Sequence, residues 1–302
     1  MCSLNAQVFS GGSGTKDDPY RISNKKDMDE LAFYSVDHSA NPNAPNHPYG
    51  QYWTYQKYFI ITNDIREPVT ESIRQFRGSF DGQGYKIVIK LERYIWGGLF
   101  NILNDAVIKN IVVDGTQNRK VQSDWWREGI IGTISIASLE LLKEQGSDGT
   151  YNVTVKNCIN MMQNFYGDST NTIDSTTGIV GFISYFPSYP ANPNPIKDYN
   201  MPVNIVIEDC INLSSIAKGY HCLPAYKNSG GIVRHCWGIF YTPFPNKINV
   251  SINKSINSGF IEGNDIISGI LGDIFLLREY DTDVKIRVGN CLNTGVTRGD
   301  TS

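Results

Sequence analysis

Short runs in which apolar and polar residues alternate recur down the second half of the chain: Val153-x-Val155, Ile205-x-Ile207, Val250-x-Ile252 and Ile286-x-Val288. Alternation of this kind is the signature of a strand with one buried face. Each run ends in the same four-residue corner, Asn157-Cys158-Ile159-Asn160, Asp209-Cys210-Ile211-Asn212, Lys254-Ser255-Ile256-Asn257 and Asn290-Cys291-Leu292-Asn293. A second motif alternates with it: Gly129-Ile130-Ile131-Gly132, Gly178-Ile179-Val180-Gly181, Gly231-Ile232-Val233-Arg234 and Gly269-Ile270-Leu271-Gly272. Gly98-Leu99-Phe100 reads as an earlier copy, and Arg234 stands where the motif leads one to expect glycine. Self-similar units with strands of fixed length and connections of unequal length predict a solenoid whose coils share one core and carry loops of different size.

The phase inside a coil depends on the corner. Unbroken alternation from Val153 points Ile159 inward, whereas a bend at Asn157 points Cys158 inward. The bend is the better reading, because a slot occupied by Cys158, Cys210, Ser255 and Cys291 calls for a small, weakly polar side chain. Ile211 is nevertheless expected in the interior, where a charge would unfold its surroundings. The fourth corner residue, Asn160, Asn212 or Asn257, is placed to stack on its neighbours as an amide ladder.

Upstream, Asp27, Met28, Leu31 and Ala32 follow Ser23 and Asn24, which are good N-cap residues. Met28, Leu31 and Ala32 form one apolar stripe, so a single helix is expected to cap the open first coil. The expected organisation is a signal-peptide remnant over 1–7, an N-terminal cap and loop over 8–57, β-helix repeats over 58–296 and a truncated tail over 297–302.

Composition narrows the function classes. Net charge is -3, from 27 basic and 30 acidic residues, which argues against nucleic acid as a partner. No apolar stretch reaches the roughly 18 residues of a membrane span. The corner cysteines read as packing residues, and Cys222 with Cys236 is the one pairing left open for an exported protein.

The order of motifs resembles that of GLUG-motif bacterial surface proteins. It runs from Gly11-Gly12-x-Gly14-Thr15-x-x-Asp18-Pro19-Tyr20-x-Ile22 through the helix to Tyr58-Phe59-Ile60-Ile61-Thr62-Asn63-Asp64-Ile65. Phe80-Asp81-Gly82-x-Gly84-Tyr85-x-Ile87, Gly98-Leu99-Phe100 and Ile108-x-Asn110-Ile111 then follow. The resemblance covers most of residues 8 to 295. It implies a secreted, right-handed parallel β-helix of adhesin-like character, with no shared catalytic residue and no cofactor.

The expected function is therefore a surface-exposed binding or scaffold module that contacts a host or bacterial glycan, or a protein. A polysaccharide lyase or glycoside hydrolase of the same fold is the alternative. Candidate contact residues are the aromatics of the long loops, Tyr185, Phe186, Tyr189, Tyr241 and Phe244, together with Trp125. Aromatic faces suit sugars and protein partners alike, although such loops also pack their own aromatics inward. No catalytic residue is assigned. No metal is expected either, since the adjacent pairs His221-Cys222 and His235-Cys236 lack the spacing of a zinc site.

Overall fold

The computed structural model describes residues 9–35, 51–91, 97–119, 129–136, 150–166, 178–185, 202–216, 229–240, 247–259, 261–263, 267–278 and 283–299. They form a parallel β-helix. The first sheet has eight strands stacked in chain order: Tyr20–Ile22, Tyr58–Ile61, Ser79–Asp81, Val107–Lys109, Tyr151–Lys156, Val203–Glu208, Lys247–Asn253 and Asp283–Gly289. A second sheet carries Ile65–Val69, Lys86–Leu91, Val112–Arg119 and then the short corner strands Ile159–Asn160, Ile211–Asn212, Ile256–Asn257 and Leu292–Asn293. A third carries the glycine-motif strands Ile131–Ser135, Val180–Tyr185, Val233–Phe240 and Leu271–Arg278. Ile73–Phe76 pairs with Phe100–Leu103 in that same sheet.

The register explains the repeats. Val155 pairs with Ile207, Ile207 with Ile252 and Ile252 with Val288, so the alternating runs stack residue on residue. Their inward side chains are buried: Val153, Val155, Ile205, Ile207, Val250 and Ile252. Toward the N-terminus the first-sheet core positions are filled by larger groups, Phe59 and Phe80, whose rings meet Phe76 and Phe100 of the neighbouring strands edge-on or tilted. Arg234 does not break the third glycine-motif coil, since Val233 pairs with both Val180 and Leu271.

The corner is a left-handed residue. Asn110, Asn157, Asp209, Lys254 and Asn290 all have φ between 48° and 56°, at 55°, 51°, 55°, 49° and 53°. Asn and Asp tolerate this region because their short polar side chains bond locally. One such residue breaks the alternation, so Cys158, Cys210 and Ser255 turn inward and are fully buried. The residue after each turns outward. Ile159, Ile211 and Ile256 are only half-buried, which corrects the expectation that Ile211 is interior. The cysteines of the slot are free thiols. Burial, together with the stacked Cys210, pushes the Cys158 thiol well up.

The amide ladder is present from Asn212 onward, whereas Asn160, expected to be its first rung, donates its Nδ2 to Gly178 O instead. Asn212 Nδ2 donates to Asn257 Oδ1 at 2.8 Å and Asn257 Nδ2 to Asn293 Oδ1 at 2.8 Å. Each amide also makes the second corner, because Oδ1 of Asn160, Asn212 and Asn257 accepts the backbone N–H two residues on. Glycine in the third sheet makes room for it. A Cβ on Gly231 would lie 2.4 Å from Asn257 Cγ and 2.1 Å from Gly269 O.

The helix Lys25–Tyr34 caps the stack as the sequence predicts. Asn24 accepts from Asp27 N, and Met28, Leu31 and Ala32 are buried. A short helix, Gln51–Thr54, lies next to it in sequence and brings Trp53 onto Tyr20, Tyr34 and Phe59.

Candidate functional site

A cleft of about 390 Å³ opens beside the short helix, lined by Tyr55, Gln56, Lys57, Tyr58, Arg77, Gly78, Ser79, Asp105, Val107 and Asn152. These residues come from the leading ends of four successive first-sheet strands. Tyr58 pairs with Ser79, Ser79 with Val107, and Val107 with Thr154. Two positions before each lie Gln56, Arg77, Asp105 and Asn152. The same column continues along the solenoid as Asn204, Asn249 and Lys285, in register with Asn152.

Hydrogen bonds and an ion pair tie this column together. Arg77 Nη2 lies 3.8 Å from Asp105 Oδ2. The other Asp105 oxygen, Oδ1, accepts from Asn152 N at 2.9 Å. Asn204 Nδ2 donates to Asn152 Oδ1 at 3.2 Å, and Asn249 Nδ2 to Asn204 Oδ1 at 3.1 Å. The cleft is therefore the head of a polar ladder that runs down the outside of the first sheet.

The wall of the cleft is set by close backbone approach. Arg77 N donates to Thr54 Oγ1 at 2.9 Å, and Ser79 N to Lys57 O at 2.9 Å. Gly78 permits this contact, since a Cβ there would lie 2.6 Å from both Lys57 O and Thr54 O. Gln56 closes the turn with φ 55°. The Arg77 side chain is wholly buried, and its guanidinium carbon sits 3.8 Å from the centre of the Tyr55 ring. Lys57 Nζ lies 5.6 Å from the Trp53 ring. Beneath the site, Tyr151 donates its hydroxyl to Ser135 O, and burial raises its phenol far above the usual range.

The charged groups lining the cleft are Lys57, Arg77 and Asp105. Two tyrosines, a lysine, amides and a hydroxyl supply hydrogen-bond donors and partly apolar faces, and one carboxylate supplies an acceptor. Saccharide recognition needs such a mixture: ring faces for C–H groups, and convergent donors and acceptors for hydroxyls.

Most of the aromatics singled out in the sequence, Trp125, Phe186, Tyr189, Tyr241 and Phe244, lie outside the described residues. Tyr185 ends the strand Val180–Tyr185 and its backbone pairs with Gly238. His221 and Cys222 also lie outside them, so the structure describes one member only of the Cys222–Cys236 pairing. Cys236 is a buried free thiol, pushed up to about 12 by burial and then by Asp273. His235 and Cys236 are consecutive on one strand and point to opposite faces. His235 packs tilted on Phe182 with 4.6 Å between ring centres, and its Nδ1 is 3.4 Å from Asp273 Oδ2. Burial, then the neighbouring Arg234 charge, lowers its pKa to about 3. Among the described residues no three His, Cys, Asp or Glu side chains gather as a metal site.

Asp81 is a turn residue, its Oδ1 accepting from Gln83 N at 2.9 Å. The cleft itself was not singled out in the sequence. One signal was there: Asp105, Asn152, Asn204, Asn249 and Lys285 each stand five residues before the left-handed corner. No helix of the described residues is long and apolar enough to cross a membrane. No protein-family model, no curated protein and no solved structure matches the chain.

Proposed function

We propose that this chain is a secreted or surface-exposed β-helix module that binds saccharide chains without cleaving them, with the cleft at Tyr55–Tyr58 as its principal contact. One observation carries the reading: the cleft offers aromatic, amide, hydroxyl and ammonium groups but a single carboxylate, Asp105, and that one is engaged by Arg77 and by Asn152 N. Hydrolysis of a glycosidic bond ordinarily takes a pair of carboxyl groups flanking it. The motif order that resembles GLUG-motif surface proteins supports the same assignment, and so does a stack that holds an extended polar face rigid.

A glycan array, followed by incubation of bound polysaccharides with the protein and analysis for new chain ends, tests this. Binding without cleavage is the expected result. Cleavage by the wild-type chain that Tyr58→Ala abolishes would establish the lyase or hydrolase alternative, and absence of any glycan signal would overturn the reading altogether.

A further inference from the structure

We infer that the saccharide is acidic and extended, lying lengthwise on the first sheet with an acid group at Lys57 and its hydroxyls on the amides of Asn152, Asn204 and Asn249. This inference rests on the glycan-binding reading above and adds the class and direction of the ligand.

Three outward columns run side by side on this sheet. One is Gln56, Arg77, Asp105, Asn152, Asn204, Asn249 and Lys285. The next is Tyr58, Ser79, Val107, Thr154, Val206, Ser251 and Arg287. The third includes Asp81, Lys109, Lys156 and Glu208, and it neutralises itself: Lys109 Nζ is 3.0 Å from Asp81 Oδ2, and Lys156 pairs with Glu208 and Asp209. The middle column has small side chains from Ser79 to Ser251, so it forms a level strip between two taller rows.

The amide row has capacity left over. An amide side chain offers two N–H groups and two acceptor lone pairs. Along the ladder Asn204 gives one N–H to Asn152 and accepts one from Asn249. One donor and one acceptor per rung remain for solvent or a ligand. A sugar hydroxyl both donates and accepts, so it matches this pair. Rungs recur about every 4.8 Å, close to the advance of one sugar in an extended chain, and the row from Asp105 to Asn249 accommodates about four sugars at that spacing.

The head of the row sets the charge. Lys57 and Arg77 outnumber Asp105 there, and Arg77 is held behind the Tyr55 ring where solvent screens it little. Lys57 lines the cleft with its ammonium 5.6 Å from the Trp53 ring, and together with the guanidinium behind Tyr55 it leaves a net positive field for an anion there. An acidic peptide fits less well. Extended peptides bind sheets by pairing with an edge strand's backbone, whereas this is a sheet face that presents side-chain amides. Nucleic acid would need cations along the whole row, and its middle is neutral.

The test is calorimetric titration of the full chain with a tetrameric galacturonate, with the same oligomer after its carboxyls are reduced to alcohols, and with polyglutamate. The acidic sugar is expected to bind about tenfold or more tighter than the reduced one at low salt, the margin shrinking in high salt. Lys57→Gln should erase that margin. Asn204→Ala should weaken both sugars, and thermal melting of each variant checks that it is folded. Equal affinity for acidic and reduced sugar would overturn the acidic assignment alone, and polyglutamate binding as tightly as the uronate would overturn the sugar. Failure of both sugars to bind, with the array also silent, would overturn the glycan reading beneath it.

Discussion

The buried amide ladder is open to a sharp test at Asn257. Its side chain is fully buried and sits between two others, accepting from Asn212 and donating to Asn293, each at 2.8 Å. Its Oδ1 also accepts Gly259 N at 3.3 Å. Asn257→Ala removes the amide and leaves two buried donors without that acceptor, the Asn212 amide and the Gly259 N–H. The Asn293 oxygen is exposed and turns to water. An unsatisfied buried polar group costs about 1 to 3 kcal/mol. The long Gly259 bond belongs at the low end of that range. The space left against Gly231, on which the amide now packs, adds a cavity term. The sum is about 3 to 4 kcal/mol.

Urea denaturation of wild type, Asn257→Ala and Asn204→Ala measures this. Asn204 belongs to the outer ladder and is half-exposed, so water replaces its lost bonds and its cost should stay within about 0.5 kcal/mol. Because coils of a solenoid open semi-independently, hydrogen exchange at Cys210–Ser214 and Ser255–Gly259 should report the same contrast locally. If Asn257→Ala and Asn204→Ala cost the same, the inner ladder contributes no more than a solvated one, and the reasoning from burial is refuted.

Gly231→Ala should cost at least about 2 kcal/mol, since the new Cβ meets backbone Gly269 O at 2.1 Å and backbone cannot yield as a flexible side chain does; a melting temperature equal to wild type would contradict the packing. Cys210→Asp should unfold its coil, because it buries an unpaired charge at a position with no exposure. Ile211→Asp, one residue on and facing outward, should shift the urea midpoint little, and the reverse order would mean the corner has been assigned the wrong phase. His235 is held neutral, with a pKa of about 3. The unfolded chain therefore binds the extra proton first, so its contribution to stability is complete above about pH 6.5 and is lost as pH falls toward about 3. Denaturation of wild type and His235→Gln at pH 7 and pH 4.5 should show the wild type losing more, and parallel losses would refute the depressed value.

The coil was legible because its core obeys a period of two. Val153, Val155, Ile205 and Ile207 announce the first sheet, and Met28, Leu31 and Ala32 announce the cap. The corner was half legible. Asn157 and Asp209 signal a left-handed residue, but Lys254 gives no such sign. The consequence for Ile211, an outward side chain, follows only when the flip is applied without exception. The cleft was not legible because nothing local marks it. Tyr55, Arg77, Asp105 and Asn152 are far apart in the sequence and meet only through register, across connections of unequal length. Motif reading favours residues that recur, whereas this site is assembled where the column changes identity from Gln56 to Arg77 to Asp105 before settling into asparagine.

That change of identity separates function from stability. A uniform amide ladder would satisfy every rung, yet this column interrupts itself with a buried guanidinium and a carboxylate 3.8 Å away. Burying such a pair costs several kcal/mol of desolvation per ion, and a well-packed neutral pair of similar volume is commonly as stable or more so. The double variant Arg77→Met, Asp105→Asn extends the amide ladder by one rung and fills the space behind Tyr55. If the pair serves the cleft's charge, the double variant should melt at or above the wild-type temperature, while its margin for acidic over reduced sugar narrows without vanishing, since Lys57 remains. Arg77→Met alone should be the least stable of the set, since it leaves Asp105 without its cation. If the double variant instead loses more than about 2 kcal/mol, the pair is a strut that holds the Gln51–Thr54 helix against the coils, and the charge at the cleft is incidental to it.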